Sequence, residues 1–123
     1  MRIEKFEDII AWQLGRELFK SIYPLVEASK DYWFRDQIRR ASLSITNNIA
    51  EGFGRLGNKE MARYLKLSKG SCLEVRSMLY SALDINLIET KEEFDHLFNL
   101  TIRIEKLLVN FIKSLEKPPN YSV

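Results

Sequence analysis

Residues 36–67 read DQIRRASLSITNNIAEGFGRLGNKEMARYLKL, and this stretch decides the fold because it contains two helix patterns and the turn between them. A stripe of apolar and small residues, spaced at about 100° per residue, runs along one side of the first pattern. Its members are Ile38, Ala41, Ser42, Ile45, Ile49, Gly52 and Phe53. Gly52, Gly54 and Gly57 are predicted to end this helix with the positive φ of a tight turn. Asn58 is predicted to cap the helix that follows.

The opposite side of the first helix is polar but carries few charges. Its members are Arg40, Ser44, Asn47, Asn48, Glu51 and Arg55. Ser and Asn destabilise the middle of a helix because their side chains compete for backbone hydrogen bonds. Their recurrence here suggests specific hydrogen-bond partners, and we assign Ser44, Asn48 and Glu51 to a predicted subunit interface. The alternative is a surface helix of low intrinsic stability without dedicated partners.

The rest of the chain also shows helical spacing, and few Gly or Pro residues interrupt it. The patterns predict an all-α fold, an antiparallel up-down four-helix bundle that forms a single domain over residues 1–123. The helices are expected at about residues 6–25, 33–54, 58–86 and 91–117, with a short tail at 118–123.

Local signals mark the ends of these helices. Pro24 should end or kink the first helix, because proline lacks the backbone N–H of a helix interior. Trp33 and Phe34 should return the chain to the hydrophobic interior at the start of the second helix. Thr90 and Glu93 have the spacing of a capping box at the start of the fourth helix.

Several helices carry more apolar surface than one bundle core absorbs. Residues of these additional rows are predicted to lie at a subunit interface: Trp12, Phe19, Tyr23, Leu67 and Met78. A monomer would leave these rows in water, so we expect a homo-oligomer. Gly70–Ser71, in the middle of the third helix, costs around 1 kcal/mol of helix propensity. We expect this pair to permit the close approach of another backbone.

The composition is typical of a soluble globular protein, with 46% hydrophobic and 29% charged residues among 123. The chain is long enough to bury a core of its own. Neither a signal peptide nor a membrane-spanning stretch is predicted, so we expect no membrane partner. Cys72 is the only cysteine, which excludes an intrachain disulfide. Its helical neighbours predict a buried, unreactive thiol, and we expect a cytoplasmic protein.

The groups that an enzyme usually needs do not form a recognisable pattern. His96 is the only histidine, and no His–Cys set has metal-ligand spacing. A Glu-x-x-His pattern ends at His96, but it occurs once where di-metal bundles need two copies. Glu51 can be held by Asn47 and Arg55, one turn away on either side. The sequence therefore predicts no catalytic residues, no cofactor, no metal site and no small-molecule substrate.

The net charge of +2 is too small to indicate a nucleic-acid partner by itself, but the charges are unevenly distributed. Residues 35–76 contain nine basic and four acidic residues, whereas the remaining chain contains ten basic and thirteen acidic residues. The predicted nucleic-acid-binding residues within the basic segment are Arg39, Arg40, Arg55, Lys59, Arg63 and Lys66.

Three sequence blocks resemble one known family: FEDIIAWQLGREL at 6–18, QIRRASLSITNNIAEGFGR at 37–55 and ARYLKLSKGSCLEV at 62–75. They are similar to the four-helix-bundle proteins encoded in intervening sequences of bacterial 23S rRNA genes, over about residues 6–115. That family includes accessory proteins of diversity-generating retroelements. The resemblance implies an antiparallel four-helix bundle, a homopentameric barrel and, in the retroelement branch, nucleic-acid binding. Segment 27–34 departs from the pattern, because relatives tend to carry a Pro-containing loop there.

Two functions are consistent with these features. The leading hypothesis is a non-catalytic oligomer that binds RNA, DNA or an RNA–protein complex through the basic segment. The symmetry of the oligomer would repeat the positive charge of this segment in every subunit. No recognised RNA-binding motif or aromatic stacking platform indicates sequence-specific readout. The alternative is a protein-interaction scaffold that uses the polar side of the second helix or the aromatic row of the first.

Overall fold

Four α-helices contain most of the residues that the structure, a computed structural model, describes, namely residues 3–117. They are α1 (Ile10–Leu25), α2 (Tyr32–Gly54), α3 (Asn58–Asp84) and α4 (Lys91–Leu115), preceded by a 3-10 turn at Phe6–Asp8. No strand occurs within residues 3–117, which confirms the predicted all-α fold with four helices. The predicted tail at 118–123 lies outside the described residues.

The four helices pack around one hydrophobic core. Each helix contacts the next one in the chain, and α1 also contacts α4. The largest fully buried side chains on the helices lie four, seven or fourteen residues apart, so those of one helix share one side of it, as the sequence spacing predicted. They are Leu18, Ile22, Ile38, Ile45, Ile49, Leu65, Leu79, Ile104 and Leu108. None of the helices within residues 3–117 has an apolar stretch long enough to cross a membrane.

The connection between α1 and α2 differs from the prediction at one aromatic residue. Helix α1 ends one residue after Pro24, in agreement with the expected stop. Asp31 caps α2, its carboxylate accepting a hydrogen bond from the backbone N–H of Phe34 at 3.0 Å. Phe34 is buried as predicted, whereas Trp33 is 72% exposed. The prediction for Trp33 was wrong because these neighbours lie on different sides of the first helical turn.

The turn between α2 and α3 contains a left-handed residue, but it is not a glycine. Leu56 has a φ of 55°, and no glycine within residues 3–117 has a positive φ. An L-residue in this conformation costs about 1–2 kcal/mol, because its Cβ lies close to the following carbonyl oxygen. Asn58 is the first residue of α3 rather than its cap; the cap position is Gly57, without a side-chain hydrogen bond. Helix α2 ends at Gly54, as predicted, whereas the predicted positive φ of the glycines and the Asn58 cap were wrong.

Helix α4 begins as the capping pattern predicted. The Thr90 hydroxyl accepts a hydrogen bond from the backbone N–H of Glu93 at 3.1 Å. This bond satisfies one of the backbone donors that lack a partner in the first turn of a helix. The first half of the predicted capping box is therefore confirmed.

Close helix approaches occur at Gly15 and Gly52, not at Gly70. A Cβ atom at Gly52 would lie 2.6 Å from Tyr64 Cβ, so α2 and α3 are in near contact there. A Cβ atom at Gly15 would lie 3.0 Å from a methyl carbon of Thr46, where α1 meets α2. A Cβ atom at Gly70 would meet nothing within 4 Å. No backbone within residues 3–117 therefore approaches Gly70 closely, and an approach by another subunit stays a prediction.

Candidate nucleic-acid interface

The six predicted nucleic-acid-binding residues lie on α2, on α3 and at the C-terminal end of α2. Five of them are exposed to solvent: Arg40, Arg55, Lys59, Arg63 and Lys66. We call these five residues the basic surface. Their helices are adjacent in the bundle, because α2 packs directly against α3. The fold therefore gathers most of the predicted cations on neighbouring elements.

Arg39 is the exception, because its guanidinium group is engaged within the bundle. Its Nη2 atom donates hydrogen bonds to the backbone carbonyl of Tyr23 at 3.0 Å and to the carboxylate of Glu27. The guanidinium carbon lies 3.7 Å from the centroid of the Tyr23 ring, and the side chain is only 16% exposed. Arg39 thus joins α2 to the end of α1. It is the least available of the six for an external phosphate.

A cluster of charged side chains surrounds Tyr64 near the turn between α2 and α3; we call it the Tyr64 cluster. The guanidinium groups of Arg55 and Arg63 lie 5.4 and 4.5 Å from the centre of the Tyr64 ring. Arg55 donates a hydrogen bond to Glu51 at 2.9 Å, and Arg63 donates one to Glu60 at 3.1 Å. The pairing of Glu51 with Arg55, predicted from their spacing, is therefore present.

These pairings favour the charged forms of the cluster. The hydrogen bond from Arg63 lowers the pKa of the Glu60 carboxyl below its usual value. Hydrogen bonds to Glu51 and Glu60 raise the pKa values of Arg55 and Arg63 respectively. All of these groups are exposed, where water screens an ion pair and leaves it only a small contribution to stability. A phosphate can therefore exchange with either carboxylate at small cost.

The other three exposed cations differ in whether they form an ion pair with a carboxylate of the chain. Lys66 donates a hydrogen bond to Glu116 at 2.6 Å, which links α3 to the end of α4. Within residues 3–117, Arg40 and Lys59 form no ion pair. These two residues are therefore the cations most readily available to an external anion.

The polar side of α2 forms a shallow groove of about 750 Å³. The Asn48 amide donates hydrogen bonds to the backbone carbonyl and the hydroxyl of Ser44 at 2.8 and 2.9 Å. The hydroxyl of Ser71 on α3 donates to the hydroxyl of Ser44 at 2.9 Å. Some of the hydrogen-bond partners that the sequence suggested for this side are thus supplied by the chain itself. Arg40 and Glu51 also line the groove, which therefore adjoins the basic surface.

The predicted interface residues of the apolar rows are covered to different degrees. Trp12 packs edge-on against Phe6 with ring centroids 5.3 Å apart, and Met78 is partly buried against the core. The Phe19 and Tyr23 rings are neighbours, with their centroids 5.7 Å apart. Tyr23 remains 46% exposed and Leu67 47% exposed. The single bundle thus partly buries Trp12, Phe19 and Met78, and it leaves Tyr23 and Leu67 exposed.

Sequence reasoning missed two features of this region. Arg76 belongs to the basic segment but lies half-buried, donating hydrogen bonds to Glu105 at 2.7 Å and to the Thr101 hydroxyl at 3.0 Å. It therefore joins α3 to α4, and no local sequence signal identifies partners so far away in the chain. Leu56, 90% exposed beside Arg55, was also missed. Within residues 3–117, no group of three His, Cys, Asp or Glu side chains could hold a metal ion.

The fold and its surface define a small all-α bundle protein with exposed cations on two neighbouring helices. The chain belongs to the family of 23S rRNA-intervening sequence proteins, whose family model matches residues 7–110. The fold is similar to the crystal structure of a protein of unknown function from the S23 ribosomal protein family of Bacteroides thetaiotaomicron. The TM-score is 0.76 at 24% identity, covering 84% of this chain and 98% of that one, and this likeness shows the fold alone. No curated protein sequence matches the chain.

Proposed function

We propose that this protein is a non-catalytic, oligomeric nucleic-acid-binding protein that contacts RNA, or an RNA–protein complex, through the basic surface. The observation that carries the proposal is the gathering of five exposed cations on α2, α3 and the turn between them. Arginine and lysine side chains in such a position bind phosphate oxygens without reading the base sequence. We therefore expect binding that depends strongly on salt and weakly on sequence.

The charge state of the surface supports phosphate binding. Arg40 and Lys59 have no carboxylate partner within residues 3–117. A phosphate can therefore pair with either cation without breaking an existing ion pair. Arg55 and Arg63 hold exposed carboxylates, which contribute little to stability and exchange readily. An arginine–phosphate pair can also form two parallel hydrogen bonds, which strengthens it relative to a point charge.

We also propose that the helices run antiparallel and that the bundle assembles into a homopentameric barrel. Contacts between consecutive helices support the antiparallel order, because residues further along one helix contact residues nearer the start of the next helix. The contacts are Gly15 with Thr46 and Tyr23 with Arg39, Ser44 with Ser71 and Gly52 with Tyr64, and Lys66 with Glu116 and Arg76 with Glu105. The exposed apolar area at Tyr23 and Leu67 supports oligomerisation. The number five rests on the family resemblance, and fivefold symmetry would repeat the basic surface as a ring.

A protein-interaction scaffold in the cytoplasm is the second candidate. The exposed side chain of Leu67 and the groove along α2 favour it, because apolar area beside polar groups is common at protein interfaces. Salt separates the two functions. Binding to phosphates weakens steeply as salt rises, whereas an apolar protein interface persists.

A triple charge variant tests the basic surface. Replacing Lys59, Arg63 and Lys66 with Gln removes three positive charges from α3 while leaving its buried side unchanged. We expect the affinity for a mixed-sequence RNA to fall about tenfold or more and the slope of log K against log salt to flatten, by about 0.7 for each lost contact to a single strand. Fluorescence anisotropy over a series of salt concentrations measures both quantities.

A matched control removes the same charge from other helices. Lys20 on α1 and Lys106 and Lys113 on α4 are exposed, and their replacement with Gln should leave binding close to that of the wild type. Light scattering checks that both triple variants assemble as the wild type does. If the correctly assembled α3 variant and the control bind equally well, the basic surface is not the binding site.

A further inference from the structure

Leu56 has a backbone conformation and an environment that leucine disfavours. It lies between α2 and α3 with a φ of 55°, and its side chain is 90% exposed. A left-handed backbone favours Gly, Asn or Asp over an aliphatic residue. An exposed leucine also gains no free energy from burial in the core. The packing of the single chain within residues 3–117 therefore gives no reason for a leucine at this position.

The surroundings of Leu56 are cationic. Arg55 precedes it in the chain, and Lys59 follows three residues later in the first turn of α3. Arg63 lies one further turn along α3. The guanidinium groups of both arginines contact the same Tyr64 ring, which places them close to each other beside the turn. The exposed apolar side chain is thus flanked by three exposed cations, two of which pair with Glu51 and Glu60, and the net charge around it is positive.

This combination of chemistries fits a nucleic acid better than other partners. A protein partner would have to present apolar surface to Leu56 and carboxylates to the flanking cations at the same time. A nucleic acid offers both kinds of contact, because its bases have apolar faces and phosphates lie on either side of each base step. Proteins that bend duplex DNA insert Leu, Ile, Met or Phe between base steps, next to basic side chains. Stacked bases of an RNA offer the same kind of step.

Resting on the proposed function, we infer that Leu56 inserts between two neighbouring bases of the bound RNA while Arg55, Lys59 and Arg63 contact the adjacent phosphates. The turn between α2 and α3 leaves the side chain in solvent, where a base step can receive it. The insertion adds apolar contact that does not depend on sequence, because every base has an apolar face. It also separates stacked bases, which is a measurable signature that phosphate contacts alone do not produce.

The signature is the fluorescence of 2-aminopurine, which increases when this base analogue loses its stacking neighbours. We expect the wild-type protein at saturation to increase the fluorescence of a single-stranded RNA that carries 2-aminopurine at several positions. Leu56→Ala should abolish the increase and weaken binding about tenfold, because the apolar contact of the leucine side chain with the bases is lost. It should leave the salt slope unchanged, because no phosphate contact is lost. Its thermal unfolding should match the wild type, since the side chain is exposed.

Two further variants separate insertion from charge. Leu56→Met keeps a long apolar side chain and should retain the fluorescence increase. Lys59→Gln should flatten the salt slope but retain the increase once the RNA is saturated. If Leu56→Ala binds with wild-type affinity and produces the full increase, the insertion is overturned while the proposed function stands.

Other outcomes also decide between the two proposals. Loss of assembly by Leu56→Ala in light scattering would make Leu56 a subunit contact and overturn the insertion. Wild-type binding without any fluorescence increase, at any labelled position, would overturn the insertion alone. Failure of the wild type to bind RNA at low salt would overturn the proposed function, and the insertion with it.

Discussion

Gly52→Ala is expected to lower the free energy of unfolding by about 3 kcal/mol, the upper part of the range for overpacking a close contact. The added Cβ would lie 2.6 Å from Tyr64 Cβ and 3.2 Å from Met61 Sδ. The Met61 sulfur can move, but Tyr64 Cβ is attached directly to the backbone of α3. Relief therefore requires α2 and α3 to separate, which disturbs the core on both sides. Urea denaturation of the variant and the wild type measures the difference.

Gly70→Ala is the matched control, because it adds the same methyl group to an exposed glycine within a helix. Nothing lies within 4 Å of the added Cβ at this position. Alanine should therefore stabilise the single chain by about 0.5–1 kcal/mol through its higher helix propensity. Equal effects of the two substitutions would contradict the assignment of the close helix contact to Gly52. A loss of assembly by Gly70→Ala would instead place another subunit against this position.

The Cys72 thiol is expected to react about a thousandfold more slowly in the native protein than in the unfolded chain at pH 8, because the thiolate is the reactive form. The side chain is fully buried, and its Sγ donates a hydrogen bond to the backbone carbonyl of Thr101 at 3.3 Å. Burial raises the pKa of this thiol from its usual 9.0 to about 12, although the nearby Arg76 charge opposes the change. Thiolate is therefore about a thousandfold rarer in the native state.

A disulfide reagent that releases a coloured thiolate measures this reactivity, with and without urea. Cys72 is the only cysteine, so the whole signal belongs to it. The sign of the linked pH dependence follows from the same pKa values. The unfolded thiol ionises near pH 9 and the native thiol near pH 12, so the contribution to stability is fully present below pH 9 and is lost as pH rises from 9 to 12. A native thiol that reacts within tenfold of the unfolded one would contradict the burial of Cys72.

The helices were predictable because apolar spacing is a local property of the sequence. Residues such as Ile38, Ile45 and Ile49 recur at helical intervals, and all three are fully buried. The details of the turns were not predictable, because they depend on how helices meet. Glycine is cheapest at a left-handed position, yet the turn after α2 places Leu56 there. Gly52 and Gly70 are equally plausible contact points in the sequence, and only the crossing of α2 with α3 distinguishes them.

The candidate site was predictable as a segment but not residue by residue. A local excess of positive charge indicated the segment, residues 35–76, in which the five cations of the basic surface lie. The partners of each cation are determined by the packing of distant segments, as for Arg39, which contacts Tyr23 and Glu27 on the preceding helix and loop. Arg76 similarly finds Glu105 on α4, twenty-nine residues away. Charge counting therefore overestimates the number of basic residues that are free to meet a phosphate.

The most direct test of nucleic-acid binding is the affinity of the wild-type protein for a mixed-sequence single-stranded RNA over a series of salt concentrations. If the five cations of the basic surface in one subunit contact phosphates, log K should fall against log salt with a slope of about −3.5, since each contact to a single strand contributes about −0.7. Engagement of several subunits would steepen this slope. Absence of binding at low salt, or an affinity that does not change with salt, would contradict the account and favour the protein-interaction scaffold.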